Sequence, residues 1–301
     1  MIERHICDLA PSSDNNRNSE GAFIELKNGN ILFVYTRYRG AGHGDECTAD
    51  LYGMISADEG EHFSDPFLVF TCEDVGADNI MSVSLMRMEN GDIGLFYLQK
   101  HNTEVYCIPC LTRSDDEGKT WSAHVKCVKE DGYYVLNHDR VIRLESGRLL
   151  MPLSKHPSMR LPDGKLFFGE GTIYMMASDD DGRTWNALAE NMKLPISVWN
   201  DPATGKLWSC SSAMEPGAVQ LESGLIWCYI RTTMGRQYEM FSEDNGESWT
   251  IPGPSRFTSP DSPLCAKECL TTAWWYCGIR YRNIMEACPL WTILGPEAES
   301  S

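Results

Sequence analysis

Short runs of alternating apolar and polar residues, broken at close intervals by Gly, Asn, Asp or Ser, recur along most of this chain. The clearest runs span Gly21 to Tyr35, Ser82 to Tyr97, Arg140 to Pro152 and Gly217 to Tyr229. Each has a turn carrying a glycine at its centre: Gly29, Gly91, Gly147 and Gly224. Period-two alternation on both sides of a Gly-containing turn predicts a β-hairpin. Apolar residues at helical spacing are nowhere sustained, so the pattern predicts an all-β chain.

A second element follows each hairpin. It reads Ser-x-Asp-x-Gly-x-x-aromatic and occurs at Ser56–Phe63, Ser114–Trp121, Ser178–Trp185 and Ser242–Trp249. The four starts are 58, 64 and 64 residues apart. Such regular spacing marks an internal structural repeat. The Ser and Asp side chains can bond backbone N–H groups a few residues on, and Gly supplies the positive φ of a tight turn. The closing aromatic is then free to pack between neighbouring units. A strand-like run precedes each octapeptide, so one repeat is two hairpins, or four antiparallel strands. A calcium loop would need more oxygen ligands at closer spacing, so these Asp residues read as structural. Four-stranded sheets repeated in this way predict a β-propeller.

Charge narrows the partners. The 301 residues include 26 Lys and Arg against 43 Asp and Glu, a net charge of −17. That sign disfavours nucleic acid and anionic membrane surfaces, both of which call for a basic face. No apolar run reaches the roughly 18–20 residues that span a bilayer. The polar start, Met1 to Asp8, lacks the apolar region of a signal peptide, which points to the cytoplasm. Cys107 and Cys110 form a CxxC, and Cys265 and Cys269 a CxxxC. Zinc needs about four ligands in paired clusters, so these read as buried thiols, with no structural metal, cofactor or disulfide framework expected.

The octapeptide resembles the Asp box, or bacterial neuraminidase repeat, and the chain looks like the sialidase superfamily over about residues 17–267. The resemblance implies a six-bladed propeller, of which about four complete blades are present. A fifth blade opens at Ser259–Lys267, after which the pattern stops. The last 34 residues hold three of the nine Trp and three of the twelve Cys, with no octapeptide and no strand–turn–strand signal. Residues 1–267 are therefore expected to form an incomplete propeller. Residues 268–301 are expected to be an anomalous tail, either read out of frame after about Lys267 or a divergent, shortened C-terminal blade.

Polar residues gather where the innermost strands begin: Glu20, Ser82, Asp139, Arg140 and Glu215. Arg37, Arg39, Lys155, His156 and Arg231 stand at the ends of the same hairpins, a set suited to an anionic or sugar ligand. By resemblance, Glu215 is the carboxylate that activates a tyrosine nucleophile. Arg231 is one of three arginines gripping a substrate carboxylate, a match for a bidentate guanidinium. Arg37, followed by Asp45 and Asp50, resembles the arginine and acidic loop beside the sugar site. One of the two aspartates would be the general acid/base, with Asp50 favoured because it abuts the next strand. Asp139 and Arg140 are further candidates for binding substrate.

Departures from the family pattern also count. Asn18-Ser-Glu20-Gly21 replaces the first-blade arginine motif, Arg17 lies two positions out of register, and Glu20 repels an acidic sugar at that spot. The third arginine and the nucleophilic tyrosine belong to blades five and six. The resemblance thus implies an exo-acting glycoside hydrolase of the sialidase type, cleaving a terminal acidic sugar from a small glycan or glycoside. The alternatives are a glycosidase for another sugar and a non-catalytic propeller that binds glycans or proteins. Unpaired blades would favour self-association.

Overall fold

A computed structural model describes residues 8–40, 42, 44–102, 105–163, 166–194, 197–200, 207–210, 212–259, 262–268 and 274–277. The described residues are all-β apart from one short 3₁₀ turn, Glu73–Val75. Among them no helix is long and apolar enough to cross a membrane. The chain divides into two compact units.

In the first unit, β1 (Arg17–Glu25), β2 (Ile31–Tyr38), β3 (Ala49–Ser56) and β4 (Phe67–Phe70) form an antiparallel sheet in sequence order. A second sheet repeats the plan with β5 (Asn79–Arg87), β6 (Ile93–His101), β7 (Tyr106–Ser114) and β8 (Val125–Lys126). Next, β9 (Tyr133–Val135) runs parallel to β7 at Cys107↔Tyr133. In the second unit the third sheet, one stretch of a longer nine-stranded ladder, runs β10 (Ile142–Arg143), β11 (Leu149–His156), β14 (Thr172–Ser178), β15 (Asn186–Met192). The connection between β11 and β14 carries β12 (Ser158–Arg160) and β13 (Leu166–Phe168). A ribbon of β16 (Ser197–Asn200) and β17 (Leu207–Cys210) precedes the fourth sheet. That sheet is β18 (Met214–Gln220), β19 (Ile226–Arg231), β20 (Arg236–Ser242) and β21 (Gly253–Thr258). Finally β22 (Cys265–Glu268) pairs with β23 (Trp274–Cys277). A strand, β23, therefore lies beyond Lys267, where the sequence pattern predicts none, and pairs with β22, which includes Lys267. Of the expected tail, residues 269–273 and 278–301 lie outside the described residues.

Alternation in each strand separates the two faces of a sheet. On β2, Leu32 and Val34 are buried while Phe33 between them is half-exposed. The second unit collects Leu150, Ile173, Met175, Ile226, Cys228 and Met240 in one core. Cys107 and Cys110 are buried in β7, and burial pushes both thiols up to about 12.

All four octapeptides join the third strand of a sheet to its fourth. Each Ser Oγ accepts the N–H of the Gly at 2.7–3.0 Å and donates to the Asp at 2.8–2.9 Å. The Asp then accepts the N–H two residues beyond the Gly: His62, Thr120, Thr184 and Ser248. Consecutive positive φ values, 60 and 88° at Glu59-Gly60 and 63 and 88° at Glu117-Gly118, match the two central positions of a type I′ hairpin turn.

These bonds have a pH signature. Side-chain bonds from His62, Thr120 and Ser248 lead the causes that bring Asp58, Asp116 and Asp244 down to about 2. At Asp180 partial burial opposes the shift, and the Thr184 bonds outweigh it to give the same value. A carboxylate whose folded pKa is depressed stabilises the fold above its unfolded pKa, near 3.9, and that contribution is lost as pH falls through the folded value. The melting temperature is therefore expected to drop between about pH 4 and pH 2. Replacing Asp116 by Asn should flatten that drop, and an unchanged slope in the variant would count against it.

Candidate active site

Each of three sheets opens with an irregularity in its first strand. The β1–β2 register shifts at Glu20, β5–β6 between Met81 and Ser84, and β18–β19 between Met214 and Gly217. A bulge leaves one residue unpaired and re-aims its side chain. Glu20 (φ 46°), Ser82 (φ 62°) and Glu215 (φ 43°) occupy these positions, and Asp139 (φ 57°) precedes the first strand of the third sheet. A left-handed conformation costs a non-glycine residue of order 1–3 kcal/mol and tends to mark functional sites. Polar residues therefore stand where glycine would be the relaxed choice.

In the first unit, Ser82 donates to the Glu20 carboxylate at 2.8 Å. At the start of β1, Arg17 is the register partner of Tyr38 and lies over its ring at 4.4 Å. The same guanidinium pairs with Asp45 at 2.7 Å. Tyr38 is fully buried, its hydroxyl 3.5 Å from Asp45 Oδ1, and burial followed by the Asp45 and Glu20 charges pushes its phenol up. The Asp45 side chain is 56% exposed and open to a ligand. Asp50 is placed differently. It is buried on β3, accepts the Cys72 N–H at 2.9 Å and pairs with Arg39 Nε at 2.9 Å. Arg39 also bonds Glu73, which brings that carboxyl down to about 2. Asp50, Cys72 and Glu73 converge closely enough to hold a cation, but the Arg39 guanidinium already compensates their charge.

Arg37 stands apart from these groups, paired with Asp14 at 3.2 Å and over the Tyr52 ring at 4.6 Å. Arg140 is 1% exposed, with its backbone N–H on Ser84 Oγ, and the Asp139 N–H bonds Val83 O. The first unit thus brings Glu20 and Asp45 together with Arg17 and Tyr38. Sequence reasoning left Tyr38 out and set Arg17 aside. The bulge at Glu20 offsets a residue count made along β1, whereas a count around the hairpin turn finds the Arg17↔Tyr38 pair.

The second unit holds Glu215 and Arg231. Met214 on β18 faces Arg231 on β19 in the ladder, and the bulge that follows carries Glu215 to 2.9 Å from Arg231 Nη1. Both side chains are partly buried, 18% and 24% exposed, which strengthens their attraction over that of a solvated pair. His156, at the end of β11, sits between Gly169 O (3.1 Å) and Ser154 Oγ (3.3 Å). Burial lowers its pKa, and the Glu215 charge works against that shift. A Cβ on Gly171 would lie 2.6 Å from the His156 ring and collide with Ala213 O, so only glycine lets these segments approach. A partly buried carboxylate beside a guanidinium can accept a proton and bind an anion at adjacent points.

Comparison with known proteins gives a consistent picture. The model of the BNR repeat-like domain family matches residues 73–278, more than half of the chain. A protein called sialidase, from Bacteroides fragilis (strain YCH46), is 27% identical over 162 residues. The match covers 52% of this chain, which spans 25% of that relative's length. Among solved structures, a protein of unknown function from Dyadobacter fermentans DSM 18053 superposes with a TM-score of 0.65 at 17% identity. That match covers 89% of this chain and 76% of the other. The Hadza microbial sialidase Hz136 gives a TM-score of 0.64, also at 17% identity, with 88% and 53% covered.

Proposed function

This chain belongs to the BNR repeat-like domain family, and from that premise we propose that it is an exo-acting glycoside hydrolase of the sialidase type. Its four consecutive antiparallel sheets are read as blades of a six-bladed β-propeller. The observation that carries the reading is the Glu215–Arg231 pair, a carboxylate held in a left-handed bulge 2.9 Å from a guanidinium. Arg231 would take the carboxylate of a terminal acidic sugar, and Glu215 would draw the proton from a phenol nucleophile. Asp45, exposed beside Arg17, suits the general acid better than buried Asp50. It would protonate the leaving oxygen as the glycosidic C–O bond breaks, and then take a proton from the incoming water. The nucleophile is the one role assigned to no residue of the four sheets.

A second reading has one observation in its favour. Glu20 offers a carboxylate, held by Ser82, where this chemistry favours an arginine, which suits a sugar bearing a hydroxyl or ammonium at that point.

Hydrolysis of a fluorogenic sialoside tests the proposal. Asp45→Asn is expected to lower turnover by about 10²–10⁴-fold with the melting temperature unchanged. Asp50→Ala should instead lower stability by about 1–3 kcal/mol, since the buried Cys72 N–H loses its acceptor. Folded protein with no turnover, yet binding sialyllactose, would replace the hydrolase with a glycan-binding propeller.

A further inference from the structure

The loop that carries Asp45 is held by the second sheet through its backbone. Three successive carbonyls, those of Asp45, Glu46 and Cys47, each accept a side-chain N–H from residues of that sheet or its edge. Lys100 Nζ donates to Asp45 O at 2.7 Å, Asn102 Nδ2 to Glu46 O at 2.8 Å, and Asn79 Nδ2 to Cys47 O. Asn79 also reaches Asp45 O at 3.4 Å. The ladder explains how one sheet supplies all three donors. Asn79 on β5 is the register partner of Lys100 on β6, so the two share a face, and Asn102 follows Lys100 by two positions. Within the loop, Cys47 N–H bonds Gly44 O, and Arg39 N–H bonds Thr48 O where the loop rejoins β3.

Holding the loop in this way costs the fold something. Lys100 is 5% exposed, and lysine is almost never buried so far unless paired. Among the described residues its ammonium is met by the Asp45 carbonyl and, at 5.7 Å, by the Tyr133 ring, rather than by a carboxylate. Asn79 is fully buried, and its Oδ1 has no hydrogen-bond partner among the described residues. A buried charge and a half-satisfied buried amide both lower stability, and both are directed at one loop. On its other side that loop presents the Asp45 carboxylate to Arg17 at 2.7 Å and to the Tyr38 hydroxyl at 3.5 Å. The backbone of Asp45 is thus anchored on the second sheet while its side chain meets groups of the first.

We propose that Lys100, assisted by Asn79 and Asn102, is a positioning residue for Asp45, fixing the loop so that the carboxyl group meets the leaving oxygen. The inference rests on the reading of Asp45 as the general acid. Lys100 acts through the Asp45 carbonyl and not on the substrate. A hydrogen bond from a charged donor is roughly twice as strong as a neutral one, so Lys100 should matter most of the three.

Lys100→Met keeps the buried stem and removes the donor. Asn102→Ala, which deletes an exposed bond, is the milder variant should the first fail to fold. Hydrogen exchange read by mass spectrometry reports on the loop without any need for turnover. In both variants the peptide 44–50 should exchange about tenfold faster than in the parent, with the turn peptide 114–121 unchanged. Turnover then reads the acid. With Lys100→Met, kcat on sialyllactose should fall by about 10²-fold, the cost of a catalytic group misplaced by about 1 Å. On the fluorogenic aryl sialoside, whose phenol leaves with less help from a proton, the fall should be only about tenfold. A merely structural role would lower both alike. Unchanged exchange over 44–50, or equal losses on the two substrates, overturns this proposal alone. A parent inactive on both sialosides overturns the hydrolase reading itself, and this proposal with it.

Discussion

Glutamine in place of Glu215 is expected to reduce sialoside turnover by about 10²–10⁴-fold, the usual worth of a positioned proton acceptor. The substitution keeps the shape of the side chain and asks nothing new of the backbone, which already holds this residue at φ 43°. What it removes is the negative charge 2.9 Å from Arg231. Because both groups are partly open to solvent, the lost attraction should cost at most about 1 kcal/mol of stability. The fall should therefore lie in kcat, with the urea midpoint nearly unmoved. Arg231→Lys has a different signature. Lysine keeps the charge but not the fork that grips a carboxylate, so KM should rise more than kcat falls. A Glu215→Gln protein that turns over as fast as the parent would remove the carboxylate from the mechanism.

Trp185→Ala is expected to be the most damaging change to the fold, at about 3–5 kcal/mol. The indole is 4% exposed, lies perpendicular to Phe96 and donates its N–H to Gly182 O at 3.2 Å. Its loss leaves a cavity at a junction where Asp181 also pairs with Arg113. Domains have only about 5–15 kcal/mol to lose, so roughly a fifth of the stability or more would go. Urea unfolding should show a lower midpoint with an unchanged slope. A loss below about 1 kcal/mol would mean that the site collapses around the smaller side chain.

Much of this architecture was legible in the residues because its punctuation is local. Gly29, Gly91, Gly147 and Gly224 announce the first hairpins, and four octapeptides announce the turns, since each motif closes its own hydrogen bonds within eight residues. The Glu215–Arg231 pair was legible too, as the two flank one hairpin and a ladder brings them together. The environment of the aspartates was not. Nothing in the order of residues shows that Asp50 reaches the Cys72 N–H, whereas Asp45 meets Arg17 from 28 residues away. Those are contacts between loops and strand starts, and a register shift at Glu20 hides the position of Arg17 from counting. The β22–β23 pair was missed because its strands, Cys265–Glu268 and Trp274–Cys277, lack the Gly-centred turn that marks the other hairpins.

The sequential strand order of the sheets also bears on how fast they form. All-β proteins fold slowly when their pairings join distant parts of the chain, because the entropy of closing long loops must be overcome before any contact rewards it. In the first sheet every strand pairs with its immediate successor, so each step closes only a short segment. Such a sheet can nucleate at its own turns and zip outward, even while later residues are still being synthesised. The third sheet is the exception. Between β11 and β14 it must close the segment that carries β12 and β13, so it should be the last of the four to assemble and the point where folding pauses.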